Sequence, residues 1–435
     1  MLTIDAAPRA ALLAARDRRG AVRRLALSRF VSAAGTDASG VAIGFALYAQ
    51  TGSAAVLSLS LFLTTGVGAL VAPFAGRLGD RVDRRRLMLC CELAAAAVFV
   101  AMALLRTPVA LLVLGLLATS IGAIFGPAAG AAVAHVAGER RMSWASGLIA
   151  TGTNVGKTAG RLCAGGLIAA LGVGSVLLLD ALTFLLSAWL IWTVRRAVSA
   201  PRATSAAGAA AAAAAAAAAP ARPDSPRLPR GGFARLRDDR TLRLLVASAC
   251  ISTFATAFTM TAEVPLAFDL GAGALGLGAL TACWGAGMIA GSWWAGRALH
   301  RGNEATGVLA GRLAMAAGVG LVGLQPALGS MLACYLLGGF GGGLMGVAAQ
   351  SLIMRATPDA LRAQVLGTID ACRKVAFAAG VAGAGAAVAL AGPRPVYVAV
   401  GLTMAAGALP VAALVRSLGG LRPLRPAAEP ATAGG

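Results

Sequence analysis

Of the 435 residues, 58% are hydrophobic and only 13% are Asp, Glu, Lys or Arg. Soluble domains carry about 25% charged residues, so the composition excludes a soluble enzyme as well as a disordered chain. The mean hydropathy of +0.79 makes a polytopic membrane protein the default. The net charge of +21 does not indicate a nucleic-acid partner, because the basic residues, 36 Arg and 2 Lys, lie mostly in short breaks between apolar runs. Membrane proteins keep their cytoplasmic charge in such breaks.

In chain order, residues 1–24 form a basic arm with Arg9, Arg16, Arg18, Arg19, Arg23 and Arg24 spread through it. It lacks the continuous apolar stretch of a cleavable signal, and reads either as a plain cytoplasmic arm or as an interfacial helix. Apolar runs of about 20 residues, enough to cross a bilayer, fall near 25–49, 54–75, 87–105, 108–135, 143–170 and 174–194. A second set falls near 242–268, 273–298, 305–324, 328–355, 364–390 and 395–415. The expected organisation is a six-helix bundle over 25–195, a cytoplasmic Ala/Pro/Arg-rich linker over 196–240, a second bundle over 241–416 and a cytoplasmic tail over 417–435. The linker holds Pro201, Pro220, Pro223, Pro226, Pro229 and an unbroken Ala209–Ala219 tract, too weakly apolar to span.

With the N-terminus placed in the cytoplasm, only Arg106 and Arg394 fall in the outer turns. Both termini are therefore expected inside, in the cytoplasmic (inner) membrane. The seven Cys all lie in apolar runs without metal-site or disulfide spacing, and the two His, His135 and His300, leave little for histidine chemistry. No metal, no cofactor and no enzymatic activity are expected.

Shifted by 220 residues, the chain aligns with itself. Gly76-Arg77 falls on Gly296-Arg297 and Arg81 on Arg301. Gly122, Gly126, Gly147, Gly160, Gly165 and Gly172 fall on Gly342, Gly346, Gly367, Gly380, Gly385 and Gly392. Parallel six-helix repeats place a binding site at their interface near the midplane, which is a transporter architecture.

The turn between the second and third runs reads Gly76-Arg77-Leu78-Gly79-Asp80-Arg81-Val82-Asp83-Arg84-Arg85-Arg86. Gly76 permits close backbone approach, Leu78 is the apolar member, and Asp80 can cap a helix or pair across the loop. Arg81, Arg84 and Arg85 hold the cytoplasmic face, with Asp83 among them. A latch of this kind, formed in one state and broken in another, suits gating; the plainer reading is a positive-inside anchor. The motif resembles the signature of the major facilitator superfamily, and its Asp83-Arg84-Arg85 ending is similar to the enterobactin-exporter-like and macrolide-efflux-like branch. Ser32-x-x-Gly35, Asp180-Ala-Leu-Thr-Phe184 and Pro358-x-x-x-Arg362 agree with the superfamily. The resemblance covers residues 25–415. It implies an all-α integral membrane fold of twelve helices in two pseudo-symmetric bundles, and a proton-driven exporter that alternates between inward- and outward-open states. Two departures stand out: His300 replaces the acid in the second-half copy of the motif, and Arg161 replaces the family's proline in helix five, where Gly152, Gly156 and Gly160 keep their spacing.

Ionisable residues inside a span are costly and so are functional candidates. Helix five places Thr151, Asn154, Lys157 and Arg161 on one face, with Lys157 about 20 Å from its cytoplasmic start. Helix eleven places Asp370, Arg373, Lys374 and Phe377 on one face. One reading is a cationic wall for an anionic substrate, formed by Asn154, Lys157, Arg161, Arg373 and Lys374 with Glu263. The other is internal neutralisation, with Asp370 available to Lys374 and Asp37 to Lys157 or Arg161. Proton coupling needs a carboxylate that changes its solvation, and Asp37, Glu263 and Asp180 are the candidates, Asp37 first. Trp284, Phe254 and Phe258 lie deep enough to line a cavity, although core packing also accounts for them. The expected function is export of a small organic molecule (a natural product, siderophore-like metabolite or drug), with import of an anionic metabolite or membrane sensing as alternatives. The expected partners are the substrate and the lipid bilayer, with no nucleic acid, and the chain acts as a monomer driven by the proton gradient.

Overall fold

The computed structural model describes residues 6–81, 83–137, 142–194, 236–300, 302–357 and 361–418; within them the side chains of 6–18, 68–70, 72–81, 131, 134–135, 137, 142–143 and 362–363 are not described. Among the described residues there is no strand, and twelve long helices account for nearly everything. The first half contains α1 Ala6–Thr51, α2 Ala54–Arg81, α3 Arg84–Leu105 and α4 Pro108–Ala137. The helical stretch Met142–Thr193 is broken at Gly172 (φ 78°, ψ 161°) into α5 (142–171) and α6 (173–193). The second half contains α7 Arg240–Asp269, α8 Gly273–Ala298, α9 Glu304–Val322, α10 Leu328–Ala356, α11 Arg362–Ala391 and α12 Pro393–Ser417, the last interrupted at Gly407. Ten helical stretches are long and apolar enough to cross a membrane, one of them being α5 and α6 together, and α2 contributes a shorter apolar stretch, Ala54–Val67.

Two expected boundaries differ. The N-terminal arm is continuous with α1 from Ala6, and Ala21 and Val22 pack in the core. The last residues assigned to the linker, from Leu236, also belong to the packed second half, because Leu236 is buried with Leu242 and Val246 and Asp239 caps α7. The rest of the linker and the C-terminal tail beyond 418 lie outside the described residues.

The 220-residue repeat is visible in backbone geometry. Gly392, the counterpart of Gly172, turns α11 into α12 with φ 79° and ψ 168°, a left-handed conformation that glycine tolerates without a Cβ clash. A Cβ on Gly160 would lie 2.0 Å from the Ala34 carbonyl oxygen, and one on Gly380 would lie 2.4 Å from that of Phe254, at the repeat-equivalent position. The Ser28 and Ser187 hydroxyls bond at 2.7 Å, and at the equivalent place Ser248 donates to the Gly407 carbonyl at 2.6 Å. The glycine ladder of helix five has the same explanation: Gly152, Gly156 and Gly160 seat α5 against the Ala26, Phe30 and Ala34 carbonyls of α1. Small residues four apart let helices approach closely where lipid supplies no hydrophobic drive.

The halves meet at one end. Gly165 packs on Gly278 and, by symmetry, Gly385 on Ser58 and Ala55. Phe268 contacts Phe45 and Tyr48 with ring centroids 5.1 Å apart in both pairs. The core clusters at this end mix residues of both halves, whereas those toward the termini each belong to a single half. Among the described residues, then, the halves are closed together away from the termini and separate on the terminal side.

Gly160→Ala and Gly380→Ala each force a Cβ into a carbonyl of the neighbouring helix, and each is expected to cost about 1–3 kcal/mol. Gly166→Ala, with nothing within 4 Å of its Cβ, should leave the melting temperature in detergent unchanged or slightly raised. Thermal unfolding of the three variants checks this, and equal behaviour would contradict the packing described.

Candidate functional site

Between the halves lies a cavity of about 1810 Å³ lined by residues of both. All six residues expected at a binding surface line it: Asn154, Lys157 and Arg161 on α5, Glu263 on α7, and Arg373 and Lys374 on α11. Helical spacing accounts for this, since residues three and four apart share a face. Thr36 and Asp37 of α1 line it too, as do Arg29 and Glu92.

The structure pairs some of these charges and leaves others alone. Arg161 Nε donates to Asp37 Oδ1 at 2.7 Å, with Asp37 only 12% exposed. Lys374 Nζ lies 2.8 Å from Asp370 Oδ2 one turn away. Arg373 Nε donates to the Thr253 hydroxyl at 3.3 Å. Among the described residues neither Lys157 nor Glu263 has a hydrogen-bond or ion-pair partner. Internal neutralisation therefore reaches Arg161 and Lys374 and stops there.

Asp180 sits elsewhere. It is 1% exposed, accepts a 2.9 Å hydrogen bond from the Thr183 hydroxyl, and lies against Gly35, where a Cβ would come within 2.1 Å of its carboxylate. The Ser32-x-x-Gly35 and Asp180-to-Phe184 stretches thus meet as one packing contact between α1 and α6; Ser32 and Phe184 reach the cavity wall, whereas Gly35 and Asp180 do not line it.

Two buried charges inside the expected spans escaped the sequence reading. Glu92 of α3 is 2% exposed; its Oε1 accepts a 2.8 Å bond from Ser187, and its Oε2 has no partner. Arg312 of α9, counted from sequence among the residues near the cytoplasmic side, is instead buried at 3% exposure with Nε and Nη1 unpaired. The two are repeat equivalents. Each has buried apolar residues four before and three and seven after it, Met88, Ala95 and Phe99 in one case and Val308, Met315 and Val319 in the other. That spacing marks a core-facing stripe and was the available signal.

In the expected latch, the side chains of Gly76 to Arg81 and all of Val82 lie outside the description, as does Arg301. Asp83 caps α3 by accepting from the Arg86 N–H at 2.9 Å. Arg85 donates to the Trp192 carbonyl at 2.7 Å and Arg24 to that of Thr193 at 3.4 Å, both at the C-terminal end of α6, where the helix dipole favours a cation. Arg84 is half-buried beside them. In the second half, with no acid at His300, the turn is held otherwise: the His300 N–H donates to Asn303 Oδ1 at 2.8 Å, Asn303 Nδ2 donates to the Ala298 carbonyl at 2.9 Å, and the Gly302 N–H donates to Glu304 at 2.9 Å. Glu304 also pairs with Arg355 of α10.

A double-mutant cycle of Asp37→Asn and Arg161→Gln, read by thermal stability, should give a coupling of about 1 kcal/mol, since Arg161 remains half exposed. The same cycle on Asp370 and Lys374, both more than half exposed, should give less. A null result for both pairs would contradict the geometry.

Comparison with known proteins follows the same architecture. The family model described as Major Facilitator Superfamily matches residues 25–381, with a second match over 244–434. No curated protein is significantly similar in sequence. Among solved structures, a bacterial homolog of the human lysosomal transporter Spinster, in an inward-facing and unoccupied conformation, is similar with TM-score 0.63 and 13% identity over 92% of this chain and 96% of that one. A POT family transporter in complex with a thioalcohol-conjugated peptide is similar with TM-score 0.67 and 11% identity, over 92% and 96%. The human organic anion transporter MFSD10 is similar with TM-score 0.59 and 18% identity, over 91% and 99%. At these identities the likeness is one of fold. With the family pattern running through both bundles, the chain belongs to the major facilitator superfamily.

Proposed function

We propose that this membrane transporter exports a small organic anion from the cytoplasm, by alternating access coupled to the proton gradient. The observation that carries the reading is the unpaired Lys157 facing a large cavity, with Arg373 on the opposite wall held only by a threonine hydroxyl. An uncompensated cation deep in a span is costly, and an anionic ligand offsets that cost. Cationic groups on both halves mean that the anion is gripped from two sides, so its release accompanies separation of the halves.

Asp37 is the proposed proton site. Its carboxylate is bonded to Arg161 in this state; a proton on Asp37 and an intact pair with Arg161 exclude one another, so a pair that closes in one state and opens in the other links proton binding to the movement of the halves. Glu263 is the second acid of the same cavity. The motif ending in Asp83-Arg84-Arg85 and its likeness to the enterobactin-exporter-like and macrolide-efflux-like branch favour export over import. With both termini in the cytoplasm, the cavity of this state opens inward, ready to load.

Everted membrane vesicles carrying the protein and a respiratory proton gradient provide the test. Aryl carboxylates, catecholates and phosphate monoesters are added in turn, and a pH-sensitive dye reports proton movement. At least one anion class is expected to dissipate the gradient and accumulate in the vesicle lumen. Asp37→Asn should abolish this coupling, and Lys157→Gln should weaken the half-saturating concentration about tenfold or more, a loss of at least ~1.4 kcal/mol. Coupled transport that survives Asp37→Asn would remove Asp37 as the proton site. Uptake into right-side-out vesicles alone would favour import.

A further inference from the structure

Glu263 lies at the closed end of the cavity and is the one acid lining it that has neither a hydrogen bond nor an ion pair among the described residues. Its surroundings are aromatic. The Trp284 and Tyr335 rings meet edge to face with centroids 6.1 Å apart, and both line the cavity. The Tyr335 and Tyr397 hydroxyls are hydrogen-bonded to each other, and Ala262 and Leu266, which flank Glu263 on α7, pack in one cluster with both tyrosines and with Trp284, while Glu263 and all three rings line the cavity. Arg161 lines the same cavity, but its Nε is committed to Asp37.

An unpartnered carboxylate that shares a cavity wall with aromatic rings suits a particular kind of cation. A hard inorganic ion needs several free oxygen ligands, and here the two tyrosine hydroxyls are committed to one another. An organic ammonium needs one counter-charge and tolerates, or gains from, aromatic faces. Counting back from the closed ends of their helices at 1.5 Å per residue, Glu263 is about 12 Å deeper in the cavity than Lys157. Arg373 lies further still toward the open side.

We infer that the Glu263–Trp284–Tyr335 corner is an ammonium subsite, and that the transported molecule is a zwitterion with a cationic group at its deep end and an anionic group about 10–12 Å away at Lys157. The inference rests on the reading of the cavity as an anion-transport site and adds the second charge. A tripeptide in extended form, at about 3.3–3.6 Å per residue, spans that distance.

The test uses the purified full-length protein in detergent and matched probe sets: tripeptides and ω-amino carboxylic acids of graded length, each as the free zwitterion, the N-acetyl form and the C-terminal amide. Binding is read by thermal shift and by tryptophan fluorescence. In at least one set near 10 Å, the zwitterion should bind tenfold or more tightly than either blocked form, and Glu263→Gln should erase its advantage over the N-acetyl form. Equal binding of the N-acetyl form to the wild-type protein in every set overturns the ammonium subsite and leaves the anionic reading intact. Equal binding of the amide overturns the anionic end, and with it the reading of the cationic wall. No binding by any form overturns the inference. The comparison among probes on the wild-type protein stands even where the variant fails to fold.

Discussion

A charge inside an apolar span must face water, a partner or a ligand, and most of this structure follows from how that demand is met. Asp37 meets it with Arg161, and Lys374 with Asp370. Glu92 meets it halfway, through a single hydroxyl bond from Ser187. Lys157 and Glu263 meet it only through the cavity they line. A solid bundle could not hold these side chains, so the space between the halves is a requirement of the sequence as much as a feature of the fold.

Symmetry explains the frame, and departures from it explain the chemistry. The glycine seats at Gly160 and Gly380, the turns at Gly172 and Gly392, and the serine contacts at Ser28 and Ser248 are the same joint made twice. The charges are not duplicated. Asp37 corresponds to Ala257, Glu263 to Ile43, Lys157 to Phe377 and Glu92 to Arg312. A pair of matching bundles thus encloses an asymmetric cavity, with acids and bases distributed unequally between its walls. The symmetric joints at the closed end, Gly165 on Gly278 and Gly385 on Ser58, are where the halves pack most closely on one another.

Much of this was legible in the sequence, because membrane helices are written in long apolar runs and broken at charges. The twelve spans, the repeat, and the grouping of Asn154, Lys157 and Arg161 on one cavity wall needed only helical spacing. Partner choice was not legible. Whether Asp37 reaches Lys157 or Arg161 depends on how α1 and α5 dock, which the Gly152–Gly156–Gly160 ladder sets through its close contacts with the Ala26, Phe30 and Ala34 carbonyls. Arg312 was misplaced because a basic residue near the start of a span was counted with the cytoplasmic charge, and Glu92 was not singled out at all, although the neighbours of each at four before and three and seven after are buried apolar residues. The Asn303 and Glu304 contacts that hold the α8–α9 turn replace an acid that the motif led one to look for at His300.

The central claim is that a charged organic molecule passes through this cavity. Its most direct measurement is untargeted metabolite profiling, inside and outside cells, of a strain lacking the protein and of the same strain complemented with either the wild type or a Lys157→Gln/Arg373→Gln double variant. The account predicts a compound that accumulates inside and is depleted outside the deficient strain, carries an anionic group, and is restored by the wild type but not by the double variant. Identical compartments in all strains, or full rescue by the double variant, would contradict it.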